Sequence, residues 1–191
     1  MRVQEIATGL WRWTALHPAW TPADGGPDGW EQEVGCYLYE GAESVVLFDP
    51  LVPMEDRDRF FEALDRDVRR AARPVRILIT VDDHRRSSAE LADRYDAPIG
   101  GLAAGVEAAL EAWDERVFWI AEHRAVVFGD VVIARDGGLE LPRTWIGDES
   151  YDEVVRGLLP LLELPVERVL VTHGEPVLEG GLAALAQALK Q

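Results

Sequence analysis

Two hydrophobic segments, each running straight into a cluster of acid and imidazole, constrain this chain more than anything else in it. Val75-Arg76-Ile77-Leu78-Ile79-Thr80 leads into Asp82-Asp83-His84, and Val169-Leu170-Val171-Thr172 leads into His173-Gly174-Glu175. A helix follows each cluster. Ser87 and Glu90 have capping-box spacing for one, and a terminal helix is predicted from about Gly180. Strand, polar turn and helix in that order make an α/β domain. In such sheets the strand ends present loop side chains into a common crevice, so clusters at several ends can converge on one ligand. Asp130, at the Gly129-Asp130 step after Ala125-Val126-Val127-Phe128, is a third polar group in such a position.

The rest of the chain supports one mixed domain. Gly35–Tyr39 and Ser44–Asp49, separated by Glu40-Gly41-Ala42-Glu43, read as a hairpin. Phe60, Phe61, Leu64 and Val68 recur at helical spacing between Glu55 and Ala71, ahead of Pro74. Ala97-Pro98-Ile99 reads as a short strand, and Gly105–Trp113 is weakly patterned. Arg116–Ile120 and Ala125–Phe128 flank Glu122-His123-Arg124 as a second hairpin that runs on through Gly129-Asp130 into Val131–Ile133. Ser150-Tyr151-Asp152-Glu153 is predicted to cap a helix that Pro160 truncates or kinks. Leu10 to Trp30, with Trp11, Trp13, Trp20 and Trp30, is expected as an ordered aromatic loop, although Trp11 and Trp13 alternate as on a strand.

A chain of 191 residues with 48% hydrophobic residues is long enough for one substantial core, so residues 1–191 are expected to form one domain. Lys+Arg 19 against Asp+Glu 35 gives a net charge of -16, which disfavours nucleic acid and anionic membranes as partners. A small-molecule ligand or substrate is the expected partner, and nothing in the sequence sets an oligomeric state. Arginine supplies nearly all the positive charge, a bias similar to that of high-GC bacterial genomes. Cys36 is alone and cannot form an internal disulfide; no apolar run near the start suits a signal peptide or a membrane span. The cytoplasm is the expected location.

Carboxylate and imidazole together suit zinc, iron or manganese, and a metal so held can bring bound water to a pKa of about 7. The order of pieces, Val34–Leu38 with Leu47-Phe48-Asp49-Pro50, Ile79-Thr80 before a His-bearing turn, Phe128-Gly129-Asp130, and Val171-Thr172-His173-Gly174, resembles the metallo-β-lactamase fold superfamily over nearly the whole chain. The resemblance implies an αββα sandwich of four layers, two mixed β-sheets flanked by helices. It also implies a one- or two-metal site built from a His-x-His-x-Asp-His turn, a separate His, a bridging Asp and a final His. Here the turn is shortened: Asp83-His84 match its Asp-His end, and Val81-Asp82 stand where the upstream histidines belong. Ala109–Arg116 holds no separate histidine, and His123 lies beyond that strand.

What the resemblance leaves is a half-retained site. Asp83, His84, Asp130 and His173 match the positions of a single second metal, zinc before iron or manganese, with Asp83, His84 and Asp130 as the candidate catalytic groups. Such a centre would hydrolyse an ester, thioester, lactam or similar bond. The alternative is a decayed site without metal, in a non-catalytic protein that keeps the sandwich as a binding or interaction scaffold. A metal-free acid/base pair of His84 and Asp83 is a third reading. His17, in the Pro-rich segment Leu16–Trp20, along with Trp20 and Arg85, are candidate pocket residues; Arg85-Arg86 can also be read as solvent-facing. Asp49 resembles the family's structural aspartate, Cys36 reads as core, and Glu175 either orients His173 or serves the following helix.

Overall fold

The computed structural model describes residues 1–190. Its strands and helices are β1 (Val3–Ala7), β2 (Leu10–Leu16), β3 (Glu33–Glu40), β4 (Val45–Phe48), α1 (Arg57–Ala71), β5 (Val75–Leu78), α2 (Ser88–Tyr95), β6 (Val106–Ala112), β7 (Glu115–Ile120), β8 (Ala125–Phe128), β9 (Ile133–Arg135), β10 (Gly138–Glu140), α3 (Arg143–Ile146), α4 (Asp148–Leu158), β11 (Arg168–Val171) and α5 (Gly181–Ala188). One sheet has the order β1-β2-β3-β4-β5, with only β4 and β5 parallel. The second has the order β11-β8-β7-β6, with only β11 and β8 parallel. β9 and β10 form a separate two-stranded ribbon.

Period-two alternation sorts the side chains into layers. Tyr37, Tyr39, Val46 and Phe48 point from the first sheet into a core shared with Phe118, Ile120, Val127 and Leu170 of the second. Cys36, Leu38, Val45 and Leu47 point the other way, onto Phe60, Phe61 and Leu64 of α1 and Leu91 of α2. On the outer face of the second sheet, Val117, Val126, Phe128 and Val169 pack against Tyr151, Val154 and Leu158 of α4 and Leu185 of α5. Strands buried on both faces lose the hydrophobic–polar alternation, which is why Val45–Phe48 and Ala125–Phe128 read as continuous apolar runs. The result is the expected αββα sandwich. Burial pushes the Cys36 thiol up to about 11, as suits a core residue. No helix of the described residues is long and apolar enough to cross a membrane.

Several local expectations are corrected. Leu10–Leu16 is a strand with Trp13 in the core, so the aromatic loop begins only at His17. Ala97–Ile99 makes a single bridge, Ile99 to Ile77, rather than a strand. The weakly patterned stretch forms β6 against β7. The second hairpin ends at Phe128, and Ile133 opens the separate ribbon instead of extending it. α4 starts at Asp148, ahead of the predicted cap, and gives way at Leu159 to a 3-10 turn containing Pro160. Ser87 precedes α2, but its hydroxyl accepts the Val52 N–H at 2.9 Å instead of capping the helix; tertiary contact has taken the local acceptor.

Candidate metal centre

The two parallel pairs place the carboxyl ends of β4, β5, β8 and β11 at one edge of the sandwich. Asp49 follows β4, the Thr80–His84 turn follows β5, Asp130 follows β8, and Thr172-His173 follows β11. The sheets are tied together there, because the Gly35 N–H donates to the Thr172 carbonyl at 2.7 Å and the Arg116 N–H to the Thr80 carbonyl at 2.7 Å.

Three of the four expected ligands meet. His84 Nε2, His173 Nε2 and an Asp130 oxygen lie within 4.8 Å of one another. Asp130 Oδ1 stands 3.2 Å from Nε2 of each histidine. Both imidazoles are buried. Oδ1 is buried as well and has no partner of hydrogen-bond geometry. Asp83 does not join them. The Asp82–Arg85 turn departs from helical geometry at His84 (φ -88, ψ 16), which points inward while the Asp83 carboxylate stays exposed at the rim.

Asp49 holds His84. Its carboxylate is buried and accepts the Thr80 N–H (2.8 Å), the Thr80 hydroxyl (2.5 Å), the Thr172 hydroxyl (3.2 Å) and His84 Nδ1–H (3.1 Å). With Nδ1 donating to Asp49, Nε2 is the nitrogen that faces Asp130, the carboxylate–histidine arrangement that orients a metal-ligating imidazole. Burial alone would lower the His84 pKa, but the charges of Asp49 and Asp130 outweigh it and raise it to about 9. Burial would raise the Asp130 carboxyl, yet the two imidazoles hold it well below the usual range. His173 is lowered by burial. Without a metal, these surroundings favour a proton on His84 over one on His173.

The turn after His173 is held differently from expectation. Glu175 does not touch the imidazole; its carboxylate pairs with Arg12 (2.9 Å) and Arg2 (2.6 Å), while Arg12 also donates to the Gly174 carbonyl at 2.9 Å. Gly174 has φ +85, and a Cβ there would collide with the Ala134 carbonyl. Gly174→Ala is expected to destabilise the protein by more than about 1 kcal/mol, measured as a fall in urea midpoint at constant slope. An unchanged midpoint would show that this turn is not constrained.

These three side chains open onto a cavity of about 370 Å³ whose walls include His17, Trp30, Trp145 and Arg86. Trp30 and Trp145 meet His173 edge-on, with centroids 5.4 and 5.3 Å away, and Trp30 meets His17 at 5.1 Å. Trp20 lines an adjoining cleft of about 810 Å³ that shares Trp30, Trp145 and His173 with the cavity. Arg85 points away: it pairs with Asp82 at 2.8 Å and lines a different cleft. Arg86 takes its place, bonded to the Asp49 carbonyl at 3.1 Å from a backbone with φ +37. His123 is buried elsewhere, edge-on to Tyr39.

The residues fit a metal. Ligands about 2.0–2.1 Å from a tetrahedral ion stand about 3.3 Å apart, close to both contacts of Asp130 Oδ1, and an ion would satisfy that buried, unpartnered oxygen. Two imidazoles and one carboxylate suit zinc and also iron or manganese.

No family model matches the sequence, and no curated protein is similar to it. Solved structures are similar. DIM-1 metallo-β-lactamase superposes with TM-score 0.62 at 13% identity, covering 99% of this chain and 95% of that one. An NDM_FIM-1-like metallo-β-lactamase from Erythrobacter litoralis, in its mono-zinc form, has TM-score 0.62 at 15% identity over 99% and 94% of the two chains. A metallo-β-lactamase from Pontibacter korlensis has TM-score 0.56 at 16% identity over 100% and 99%. The chain has the metallo-β-lactamase fold.

Proposed function

We propose that this protein is a single-metal hydrolase acting on a small molecule, with His84, Asp130 and His173 as the ligands. One observation carries the reading: three ligand atoms converge beside an open cavity, and the carboxylate oxygen among them is buried without any other partner. Three protein ligands with a free position are the pattern of catalytic rather than structural zinc sites. The mono-zinc form of the Erythrobacter litoralis relative is a precedent for one ion in this fold. When bound, the ion would supply Lewis-acid polarisation and a water acidified to a pKa of about 7. The chain's own residues do the rest. Asp49 keeps His84 in the ligating tautomer, Trp30 and Trp145 wall off His173 from solvent, and Asp83 at the rim offers an exposed carboxylate to take a proton from the reacting water. His17 and Arg86 border the volume the substrate would fill, with Trp20 farther along the cleft.

Protein purified without chelators is expected to carry one divalent ion per chain, to lose thermal stability on chelation, and to cleave at least one member of a panel of esters, thioesters and lactams only when loaded. Metal far below one ion per chain, with a melting temperature indifferent to chelator, would leave the non-catalytic scaffold as the better reading.

A further inference from the structure

Glu115 is the first residue of β7 and is buried, yet it is not a ligand. Its carboxylate accepts three consecutive backbone amides of the turn that leaves β8: Gly129 N–H on Oε1 at 2.9 Å, and Asp130 N–H and Val131 N–H on Oε2 at 2.8 and 2.9 Å. β7 is antiparallel to β8, so its start lies at the same edge as the metal ligands. There the strand is pinned by the Val81–Glu115 bridge and by the Arg116 N–H on the Thr80 carbonyl. Gly129 is wedged between Thr80 and Glu115: a Cβ would meet the Thr80 hydroxyl and crowd the Glu115 carboxyl carbon. That same hydroxyl donates to Asp49, which holds His84. The turns bearing Asp130 and His84 are thus packed on each other through Thr80 and Gly129, with Glu115 clamping one side.

Apart from the two imidazoles 3.2 Å away, nothing holds Asp130 Oδ1, so its aim at them is set by the backbone that carries it. Burying a carboxylate is a poor way to gain stability, because desolvation offsets much of what its bonds contribute. What three bonds to three successive amides do secure is a fixed path for that backbone. We infer that Glu115 is the positioning residue of the metal site, aiming the Asp130 carboxylate and thereby setting metal affinity. The inference rests on the single-metal reading above. It makes Glu115 an outer-shell partner that acts through the ligand's main chain, where such residues ordinarily act through a ligand's side chain.

The test uses wild type, Glu115→Gln and Glu115→Ala. Gln keeps the volume of Glu but must turn an NH2 group toward at least one of the three amide donors. The first measurement is Co²⁺ titration, read by affinity and by the visible absorption of the bound ion. Glu115→Gln is expected to raise the Kd about 10–100-fold and to shift the Co²⁺ bands, with an unchanged far-ultraviolet circular dichroism spectrum. A merely structural glutamate would lower the melting temperature and leave Kd and bands alone, and that result overturns the inference. The second measurement is amide exchange in the metal-free protein, where Gly129, Asp130 and Val131 are expected to exchange at least about tenfold faster in Glu115→Gln, as amides do when local opening becomes easier. If wild type takes up no Co²⁺, the metal reading fails by itself, and this exchange result still decides whether the clamp exists: unchanged rates refute it. Should Glu115→Ala not fold, the Gln variant carries both measurements.

Discussion

Asp130→Ala is expected to abolish metal binding, with Kd for Zn²⁺ or Co²⁺ weakened by well over about 100-fold, while the fold survives. The magnitude follows from comparison: losing a partner that only supports a ligand costs about 10–100-fold, and here the ligand itself goes. Asp130 Oδ1 is also the atom that the two histidines share, at 3.2 Å from each, so its removal leaves two imidazoles with no anion to offset the ion's charge. The fold should persist because the turn is held by its backbone amides on Glu115, and alanine keeps all three of those bonds. In the metal-free variant His84 retains Asp49 as its counter-charge. Isothermal titration calorimetry of the chelator-stripped variant, beside a circular dichroism melt, checks both parts. Wild-type affinity in Asp130→Ala would place the ion elsewhere and end the three-ligand assignment.

The sandwich was legible because its apolar runs are long and its turns are marked by Gly, Asn-like acids and proline, and because the order of motifs spans the chain. The continuous runs Val45–Phe48 and Ala125–Phe128 already announce strands covered on both faces. His84, Asp130 and His173 were readable as candidates since each lies within a few residues of a strand end. Asp83 was not placed correctly, because neighbouring residues of a tight turn face different ways and the sequence does not say where the turn begins. The same ambiguity separates Arg85, exposed and paired with Asp82, from Arg86, which borders the cavity.

The supporting charges were harder to read. Arg12 lies on β2, Glu115 on β7, and their partners are Gly174-Glu175 and Gly129–Val131. One pairing spans more than 160 positions of sequence, and neither residue breaks the polar alternation of its strand in a way that marks burial. A signal existed only at the far end of each: Gly129 and Gly174 are glycines where a Cβ has no room. Asp49 was legible as support through the family resemblance, but its four donors were not, since they come from two strand ends on different sheets. Val81 and Asp82, which stand where the upstream histidines of the family turn belong, are a bridge partner of Glu115 and an exposed ion-pair partner of Arg85.

Asp49→Ala is expected to destabilise the metal-free protein by about 3–5 kcal/mol, the usual consequence of removing one partner from a buried ion pair. It strands the Thr80 amide, two threonine hydroxyls and the His84 Nδ1–H at once. Asp49 also sits at φ +46, where alanine adds strain of its own, whereas asparagine tolerates that backbone and keeps an acceptor; Asp49→Asn therefore isolates the charge. Its effect should depend on pH. His84 is raised from 6.5 to about 9 in the folded protein, so the stability its proton contributes is complete below about 6.5 and fades as pH rises through about 9. Asp49, despite burial, is lowered from 3.8 chiefly by His84, so its contribution is complete above that value and fades as pH falls below it. The gap in urea midpoint between wild type and Asp49→Asn, both stripped of metal, should be widest between about pH 4 and 6.5, and narrower at pH 9.5. A gap of constant width would mean that the Asp49–His84 bond is held without a charge on the imidazole. His84 would then lie ready for metal near neutral pH, and metal affinity would begin to fall only below about pH 6.5 rather than from about pH 9.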